Sequence, residues 1–372
     1  SACLVGSEMC IRDSITALTI IVTGATAANK TYDALLGATI SGGAISVLAG
    51  DTVILDTANR AGVFADKNVG NGKAVTVSGY ALSGTDAANY ALVQPTGVTA
   101  NITPLTLSVT GATAASKTYD TSRTAVISGG SISAISGDTV ILSTSGRAGL
   151  FGDKNVGTGK SVTVSGYTIA GADAANYSLV QPTGVTADIT ALSLAVTGAT
   201  AANKTYDALL GATISGGSIA PLSGDTVTLV TSGRAGVFAD KNVGTGKSVT
   251  VSGYTLTGTD AANYSLVQPT GVTADITTLS LAVTGATAAN KTYDALLAAA
   301  ISGGAISVIS GDVVTLDISG RAGVFADKNV GTSKNVTVSG YTISGTDAAN
   351  YSLVQPTGVT ADITALSLAV TG

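Results

Sequence analysis

The sequence predicts an all-β protein, built as a tandem array of small immunoglobulin-like β-sandwich domains. The first observation behind this prediction is a strict internal repeat. The segment Lys-Thr-Tyr-Asp begins at Lys30, Lys117, Lys204 and Lys291, always 87 residues apart. This period exceeds the roughly 20–45 residues of a solenoid repeat and suits a domain with its own core. The other two observations are alternating apolar and polar residues, and Gly- and Asn-rich turns between them.

The period sets the expected domain boundaries: residues 18–104, 105–191, 192–278 and 279–365, called repeats 1 to 4 below. Residues 366–372 repeat the opening of such a domain, so we expect them to begin a truncated fifth repeat. Residues 1–14 match nothing in the repeats and contain both cysteines, Cys3 and Cys10. This segment is similar to a translated sequencing adapter, and we expect it to be a non-native leader without a structural disulfide.

Within one repeat, short segments alternate with the period of two that is typical of half-buried strands. Leu105 to Thr110 places Leu and Val on one face and hydroxyl side chains on the other. Asp51 to Leu55 and Ala74 to Ser78 are similarly rich in β-branched residues. Asn71-Gly72 predicts a hairpin turn immediately before the second of these segments. We expect helix only as a turn around Asp86 to Ala88.

The pattern Asp86-x-Ala88-x-Tyr90-x-Leu92 narrows the predicted architecture. It resembles the tyrosine corner of immunoglobulin-like sandwiches, in which a Tyr hydroxyl bonds back to the backbone. The same tyrosine recurs at Tyr177, Tyr264 and Tyr351. Residues 98–102 then fit a last strand, followed by a very short linker. A β-grasp-like or other small mixed-β domain is the alternative.

Composition excludes several classes of function. The chain has no His, only 11% charged residues and a net charge of -5, and its pI is about 4.6. An acidic chain lacks the basic face that a nucleic-acid partner requires. No apolar run approaches the roughly 18 residues of a membrane-spanning helix. Nucleophilic triads need a base, usually His. We therefore predict no enzyme activity, no cofactor, and no catalytic, cofactor-binding or metal-binding residues.

The recurring carboxylates are predicted to stabilise turns, since Asp bonds to nearby backbone. They are Asp33, Asp51, Asp66 and Asp86 in repeat 1. Calcium is the functional alternative, because Asp and Asn supply the oxygen ligands it prefers. No EF-hand spacing is present, so sites near the linkers, at Asp188 or Asp275, are the specific hypothesis for calcium.

Three further alternatives involve other side chains. Stacking of sugars on aromatic rings competes with core packing, which we expect for nearly all the large side chains of a repeat. In repeat 1 these are Tyr32, Phe64, Tyr80 and Tyr90. By residue type alone, Lys30 and Asn89 could form an isopeptide bond. Glycosylation could use the sequons at Asn29, Asn101, Asn176, Asn203, Asn263, Asn290, Asn335 and Asn350.

Four sequence blocks recur in every repeat with few changes. In repeat 1 they begin at Gly24, Gly50, Ala65 and Gly84 and include Lys30-Thr-Tyr-Asp and the Asp-Ala-Ala-Asn-Tyr segment from Asp86. These blocks resemble the YDG-type repeat domain of large bacterial haemagglutinin-like adhesins, many of them exported by two-partner secretion. The family is named after a Tyr-Asp-Gly motif, and in this chain its glycine, the naming glycine, is replaced by Ala34, Thr121, Ala208 and Ala295. Since glycine permits a left-handed backbone, we expect the turn after Asp33 to differ or to be strained.

The resemblance implies a secreted protein at the bacterial cell surface or outer membrane, whose repeats form a stalk or multiply a weak adhesive surface. Its expected partners are receptors or glycans on host or neighbouring cells, together with self-association. The alternative function is a repeated glycan- or calcium-binding module. Tyr177, the proposed corner residue of repeat 2, gives a structural expectation. If each repeat has its own core, replacing Tyr177 should damage repeat 2 alone.

Overall fold

The computed structural model describes residues 15–370 and is all-β, as predicted. Each 87-residue repeat contributes eleven strands and one short 3-10 helix at matching positions. The predicted leader with Cys3 and Cys10 lies outside the described residues, as do residues 371 and 372. Residues 366–370 form no strand. No helix among the described residues is long and apolar enough to cross a lipid bilayer.

Repeat 1 contains β1 Leu18–Ile21, β2 Thr23–Ala27, β3 Lys30–Thr31, β4 Gly37–Ala38, β5 Ile40–Ala44, β6 Ile54–Asp56, β7 Ala61–Phe64, β8 Gly70–Ser78, β9 Ala81–Ser83, β10 Tyr90–Val93 and β11 Thr99–Thr103. Repeat 2 contains β12 Leu105–Ser108, β13 Thr110–Ala114, β14 Lys117–Thr118, β15 Thr124–Ala125, β16 Ile127–Ser131, β17 Ile141–Ser143, β18 Ala148–Phe151, β19 Gly157–Ser165, β20 Thr168–Ala170, β21 Tyr177–Val180 and β22 Thr186–Thr190.

Repeat 3 contains β23 Leu192–Ala195, β24 Thr197–Ala201, β25 Lys204–Thr205, β26 Gly211–Ala212, β27 Ile214–Ser218, β28 Thr228–Val230, β29 Ala235–Phe238, β30 Gly244–Ser252, β31 Thr255–Thr257, β32 Tyr264–Val267 and β33 Thr273–Thr277. Repeat 4 contains β34 Leu279–Ala282, β35 Thr284–Ala288, β36 Lys291–Thr292, β37 Ala298–Ala299, β38 Ile301–Ala305, β39 Thr315–Asp317, β40 Ala322–Phe325, β41 Gly331–Ser339, β42 Thr342–Ser344, β43 Tyr351–Val354 and β44 Thr360–Thr364. The 3-10 helices are Ala87–Asn89, Ala174–Asn176, Ala261–Asn263 and Ala348–Asn350.

The main sheet of repeat 1 has five strands in the order β3-β11-β8-β7-β4. Its two edge strands, β3 and β4, are separated in the chain by only five residues, 32–36. The sheet therefore curls into a nearly closed, barrel-like form. Three two-stranded pairs complete the repeat: β1-β10, β2-β5 and β6-β9. The β1-β10 and β3-β11 pairs are parallel and the others are antiparallel. The immunoglobulin-like sandwich stays a prediction.

The predicted strand alternation is confirmed in the burial pattern. In β19 of repeat 2, Val162 and Val164 are buried while the residues between and beside them are exposed. The helical turn after Asp86 is also confirmed, as the 3-10 helix Ala87–Asn89. The hairpin prediction was wrong in detail. β7 and β8 do form a hairpin, but residues 65–69 connect them, and Asn71-Gly72 lies inside β8.

The reason for the misplaced turn lies in the pairing of β8 with the last strand, β11. The register between these strands shifts after Ala100, which indicates a β-bulge. Gly72 has φ +60 there, and its N–H donates to the Asn101 side chain at 2.7 Å. An Asn-Gly pair supplies the left-handed backbone that a bulge needs as readily as that of a hairpin turn.

The described chain divides into two compact units. Unit 1 contains residues up to Thr118 and Ser122–Thr190, which is nearly all of repeats 1 and 2. Unit 2 contains Tyr119–Thr121 and residues from Ala191 onward, including repeats 3 and 4. The apolar core of repeat 1 extends into repeat 2, since Leu107 and Tyr177 belong to the same buried cluster as Tyr32 and Phe64. The expectation of a core confined to one repeat was therefore wrong.

Candidate functional site: the junction between repeats

The most densely bonded polar site in unit 1 lies where repeat 1 meets repeat 2. Repeat 1 contributes Tyr32, from the segment after β3, and Lys67, from the loop between β7 and β8. Repeat 2 contributes Asp138 and Tyr177, the first residue of β21. These residues, together with Asp173 and Asn176, are called the junction cluster below. Each comes from a turn or a strand end, where the sequence blocks of the repeat are most alike.

Asp138 is the centre of this cluster. Its side chain is only 1% exposed. Its Oδ1 lies 2.8 Å from Lys67 Nζ, and its Oδ2 accepts hydrogen bonds from the hydroxyls of Tyr32 at 2.8 Å and Tyr177 at 2.7 Å. Two of these three donors belong to the preceding repeat. A buried carboxylate needs such partners, because an unpaired buried charge is strongly unfavourable.

The charges at the junction hold one another ionised. Burial raises the pKa of Asp138, but hydrogen bonds from Lys67, Tyr177 and Tyr32 outweigh it, so its net pKa lies below the ordinary value. The hydrogen bond to Asp138 raises the pKa of Lys67. Lys67 Nζ also lies 3.2 Å from Asp173 Oδ1. The junction therefore has one lysine between two carboxylates of the next repeat.

Tyr177 was predicted to be a core corner residue, and it is buried with its hydroxyl bonded to the backbone. The N–H of Ile135 donates to that hydroxyl at 3.0 Å. The partner lies 42 residues upstream rather than a few, and the same hydroxyl donates to Asp138. The ring meets Tyr32 of repeat 1 edge to face, with centroids 5.5 Å apart. Tyr177 therefore supports both its own repeat and the neighbouring one.

Asn176 provides a second polar connection across the junction. Its Oδ1 accepts the N–H of Val69 at 2.9 Å, and its Nδ2 donates to Asn68 Oδ1 at 3.2 Å. The side chain is 3% exposed. Asn176 heads one of the predicted glycosylation sequons, and a glycan cannot attach to a side chain enclosed in this way. Asn263 and Asn350, which head equivalent sequons, are buried to the same extent.

Unit 2 contains the same arrangement between repeats 3 and 4. Asp312 Oδ1 lies 2.8 Å from Lys241 Nζ, and Asp312 Oδ2 accepts the hydroxyls of Tyr206 at 2.8 Å and Tyr351 at 2.6 Å. Asn350 accepts the N–H of Val243 at 2.9 Å. The two junctions have matching geometry, so the junction cluster recurs with the repeat.

The turn after Asp33, next to Tyr32 of the junction cluster, is strained, as the missing glycine suggested. The residues at the position of the naming glycine have left-handed backbones, with φ between +62 and +67: Ala34, Thr121, Ala208 and Ala295. Such a conformation is unfavourable for residues with a Cβ. In repeat 1 the turn is held by Asp33, whose Oδ1 accepts the N–H of Leu35 at 2.9 Å and lies 2.7 Å from Lys30 Nζ.

Of the other aspartates predicted to stabilise turns by bonding to nearby backbone, Asp66 does so, whereas the partners of Asp86 and Asp51 lie 34 and 39 residues away. Asp66 Oδ1 accepts the N–H of Asn68 at 2.8 Å, and Asp86 Oδ2 accepts that of Thr52 at 2.8 Å. Asp51 accepts the hydroxyl of Tyr90 at 2.6 Å. Sequence reasoning assigned these positions to turns and corners, but it did not reveal that Asp138 and Asp173, the repeat 2 equivalents of Asp51 and Asp86, also bind the preceding repeat.

Three side chains considered for the calcium and isopeptide alternatives, Asp188, Asp275 and Lys30, make hydrogen bonds within their own repeats. Asp188 and Asp275 each accept a backbone N–H within their own repeat, from Gly159 at 2.7 Å and Gly246 at 2.8 Å. Among residues 15–370, no three His, Cys, Asp or Glu side chains form a group that could hold a metal ion. Lys30 donates to Asp33 and to the Leu35 carbonyl, whereas Asn89 is exposed and is not among its partners.

The aromatic side chains proposed as sugar platforms pack in the core instead. Tyr32, Phe64, Tyr80 and Tyr90 are all buried. Tyr80 donates its hydroxyl to the Gly42 carbonyl at 2.7 Å. Gln94 accepts the Tyr80 backbone N–H and donates to its carbonyl. This clamp was not predicted, although the invariant spacing of Tyr and Gln in all four repeats is a signal that could have found it.

The chain is therefore a tandem array of small all-β domains. Within each unit, the two neighbouring domains share a buried polar junction. The chain also belongs to the YDG domain family. Four copies of the YDG domain match, over residues 16–98, 103–185, 190–272 and 277–359. No match was found among curated proteins.

Proposed function

We propose that this chain is a structural and adhesive stalk section of a large bacterial surface protein of the haemagglutinin-like, two-partner-secreted type. In this proposal the repeats extend a binding region from the cell, or multiply a weak binding surface, and the chain is extracellular. The observation that carries the proposal is the junction cluster. Its buried ion pair and paired tyrosines fix each repeat to the next within a unit, which suits a load-bearing array.

The chemistry of the chain supports the same role. The four repeats contain no cysteine, so in this proposal they could be exported unfolded without forming disulfides among themselves. The recurring charged side chains are used within turns or at junctions. Surface receptors or glycans on host or neighbouring cells are the proposed partners. We also infer that each repeat is a variant of the immunoglobulin-like sandwich. This inference is supported by Tyr177, which lies at the start of a late strand and whose hydroxyl bonds to the backbone N–H of Ile135.

A display experiment tests this proposal. The chain, or a version shortened by one whole 87-residue period, is placed between a membrane anchor and an epitope tag on a bacterial surface. We expect the full array to make the tag accessible to antibody-coated beads more efficiently than the shortened one. An Asp138→Ala variant of equal length serves as the control for junction integrity. Equal accessibility at both lengths would contradict a stalk function.

The alternative, a repeated glycan- or calcium-binding module, makes a different prediction. It requires saturable binding that scales with the number of repeats. A glycan array and a calcium titration on the purified chain measure this directly. Because the tyrosines are buried and Asp188 and Asp275 accept backbone N–H groups, no specific observation favours this alternative. Saturable binding in either assay would favour it over the structural role.

A further inference from the structure

Two strands near the start of every repeat pair in parallel with its last two strands. In repeat 1, β1 pairs with β10 and β3 pairs with β11. The same two parallel pairs recur in the other repeats, whereas the remaining pairs of repeat 1 are antiparallel. Parallel pairing is slightly less stable per residue and joins segments that lie far apart in the chain. Stability alone therefore does not explain why every repeat has it.

The parallel pairs lie on the path that tension takes through a repeat. In unit 1, β11 ends at Thr103 and β12 of repeat 2 begins at Leu105, so a single residue separates them. Tension from repeat 2 therefore enters repeat 1 at the C-terminal end of β11, and opposing tension enters at the N-terminal end of β1. Because the paired strands are parallel, these forces pull them past each other along their axes. All bonds of a pair are then stretched together, whereas a hairpin pulled at its open end loses them one at a time.

The first strand, β1, depends on β10 for its attachment. Among the described residues, β10 is the only strand that pairs with β1. The ladder joins Leu18–Ile21 to Tyr90–Val93, and the N–H of Val22 extends it by donating to the Val93 carbonyl at 3.1 Å. Ile20 and Val22 are buried, so sliding of β1 also exposes apolar side chains to water, which is unfavourable. β1 can therefore leave the repeat only by breaking the whole ladder and losing this burial.

The other end of the repeat has a reinforced attachment. The Thr103 carbonyl accepts the N–H of Tyr32 at 2.8 Å, and the Thr103 hydroxyl donates to the Lys30 carbonyl at 3.3 Å. The Tyr32 hydroxyl in turn donates to Asp138 of repeat 2. Tension from repeat 2 is therefore shared between β11 and the segment after β3, whereas tension on β1 is opposed by its pairing with β10. The hydroxyl bond recurs in the other three repeats, at Thr190, Thr277 and Thr364.

We propose that the β1–β10 pair is the mechanical clamp of repeat 1, meaning the strand pair that must break before the repeat can be stretched. The pairs β12–β21, β23–β32 and β34–β43 hold the same place in repeats 2 to 4. Each of them is extended by the same backbone bond, donated by Val109, Val196 and Val283. Resistance to tension is thus a function of every repeat. It rests on the proposed stalk role only for its use on a cell surface, since the resistance itself belongs to the chain.

Single-molecule force spectroscopy of the full chain tests this proposal by pulling the same strand pair in two directions. In the first direction, handles on terminal tags stretch the chain from its ends and shear β1 along β10. In the second, handles are attached through Thr19→Cys and Ala91→Cys in a chain that also has Cys3→Ser and Cys10→Ser, kept reduced until labelling. Thr19 and Ala91 are exposed and lie opposite each other in the ladder, so this force separates β1 from β10 one bond at a time.

At equal loading rate, we expect the force that opens repeat 1 across the ladder to be several-fold lower than even the lowest unfolding force measured from the chain ends. Equal forces in the two directions would overturn the proposal. Because no cell surface is involved, this experiment can fail while the display experiment succeeds, and the reverse, so the two proposals are tested separately.

A matched pair of variants sharpens the test. Val22→Pro removes the backbone donor to Val93 in the parallel pair, and Ala28→Pro removes the donor to the Thr39 carbonyl beside the antiparallel β2–β5 pair. Urea denaturation measures the stability that each variant loses. Since forced unfolding follows the unfolding rate rather than the equilibrium, Val22→Pro should lower the lowest unfolding force and Ala28→Pro should not. An equal fall in both would overturn the proposal, and the two pulling directions decide it if Val22→Pro does not fold.

Discussion

Asn89 and Asn176 occupy the same position in consecutive repeats, yet their surroundings differ completely. Asn176 is enclosed at the junction and bonds to the backbone of repeat 1, whereas Asn89 is exposed. Tyr32 and Tyr293 show the same contrast, since only Tyr32 has a following repeat packed on its ring. A residue of the repeat therefore acquires its structural role from the neighbour it meets.

The largest effect should come from Asp138→Ala. This change removes the acceptor of Lys67 and of two tyrosine hydroxyls in a buried site, and breaking a buried ion pair costs about 3–5 kcal/mol. Among residues 15–370, Asp51→Ala in repeat 1 removes the bond to Tyr90 but no contact to another repeat, so it should cost less. Urea denaturation of both variants measures the difference. Equal losses of unfolding free energy would show that the contacts to repeat 1 add nothing to the stabilising contribution of Asp138.

A smaller effect is expected from Tyr177→Phe. The variant keeps the ring against Tyr32 but leaves the N–H of Ile135 without its partner, at a cost of about 1–3 kcal/mol. Tyr177→Ala should cost about 3–5 kcal/mol, the value for removing a large buried aromatic side chain. Both variants should lower the protection of repeat 1 as well as repeat 2 in hydrogen exchange. Damage restricted to repeat 2 would restore the expectation of separate cores.

Acid should weaken the junction through Asp138. Because the folded pKa of Asp138 lies below its ordinary value of 3.8, its stabilising contribution is complete above that pH and is lost as the pH falls through the folded pKa. Asp138→Asn keeps an oxygen acceptor but cannot titrate. The stability of this variant should therefore fall less steeply than that of the wild type below about pH 4. Parallel pH profiles of unit 1 would contradict this assignment.

The smallest effect concerns the strained turn, which we expect to be independent of any neighbour. Ala34→Gly, beside the junction, and Ala295→Gly, in repeat 4, should each stabilise by about 1 kcal/mol, because both relieve a left-handed backbone. Thermal unfolding measures both gains. A gain at Ala295 alone would indicate that the junction, rather than the sequence of the turn, sets the backbone of Ala34.

The sequence was sufficient for the features that depend on local pattern. Alternation predicted the strands, and the replacement of glycine by Ala34 predicted strain after Asp33. Features that depend on pairing between distant segments could not be predicted from local sequence pattern. Asn71-Gly72 satisfies a bulge and a hairpin equally, so its place inside β8 could not be read from the chain. The pairing of β1 with β10 joins strands about 70 residues apart without any turn signal.

The junction was missed for a related reason. Lys67 and Asp138 lie in blocks that read as ordinary polar turns, and their bond joins different repeats. A signal was nevertheless present. In a chain with only 11% charged residues, Lys recurs at the Asp-Lys-Asn position of all four repeats. Such exact recurrence of a rare charge could have indicated a shared structural role.

We conclude that repeats 1 and 2 are coupled through the junction cluster, and native-state hydrogen exchange with mass spectrometry tests this claim most directly. Peptides from repeats 1 and 2 differ in sequence, so their core amides can be followed separately. We predict that β8 and β19 exchange with the same opening free energy in the wild type, and that Asp138→Ala makes the two values diverge. Different opening free energies in the wild type, unchanged by Asp138→Ala, would contradict the claim.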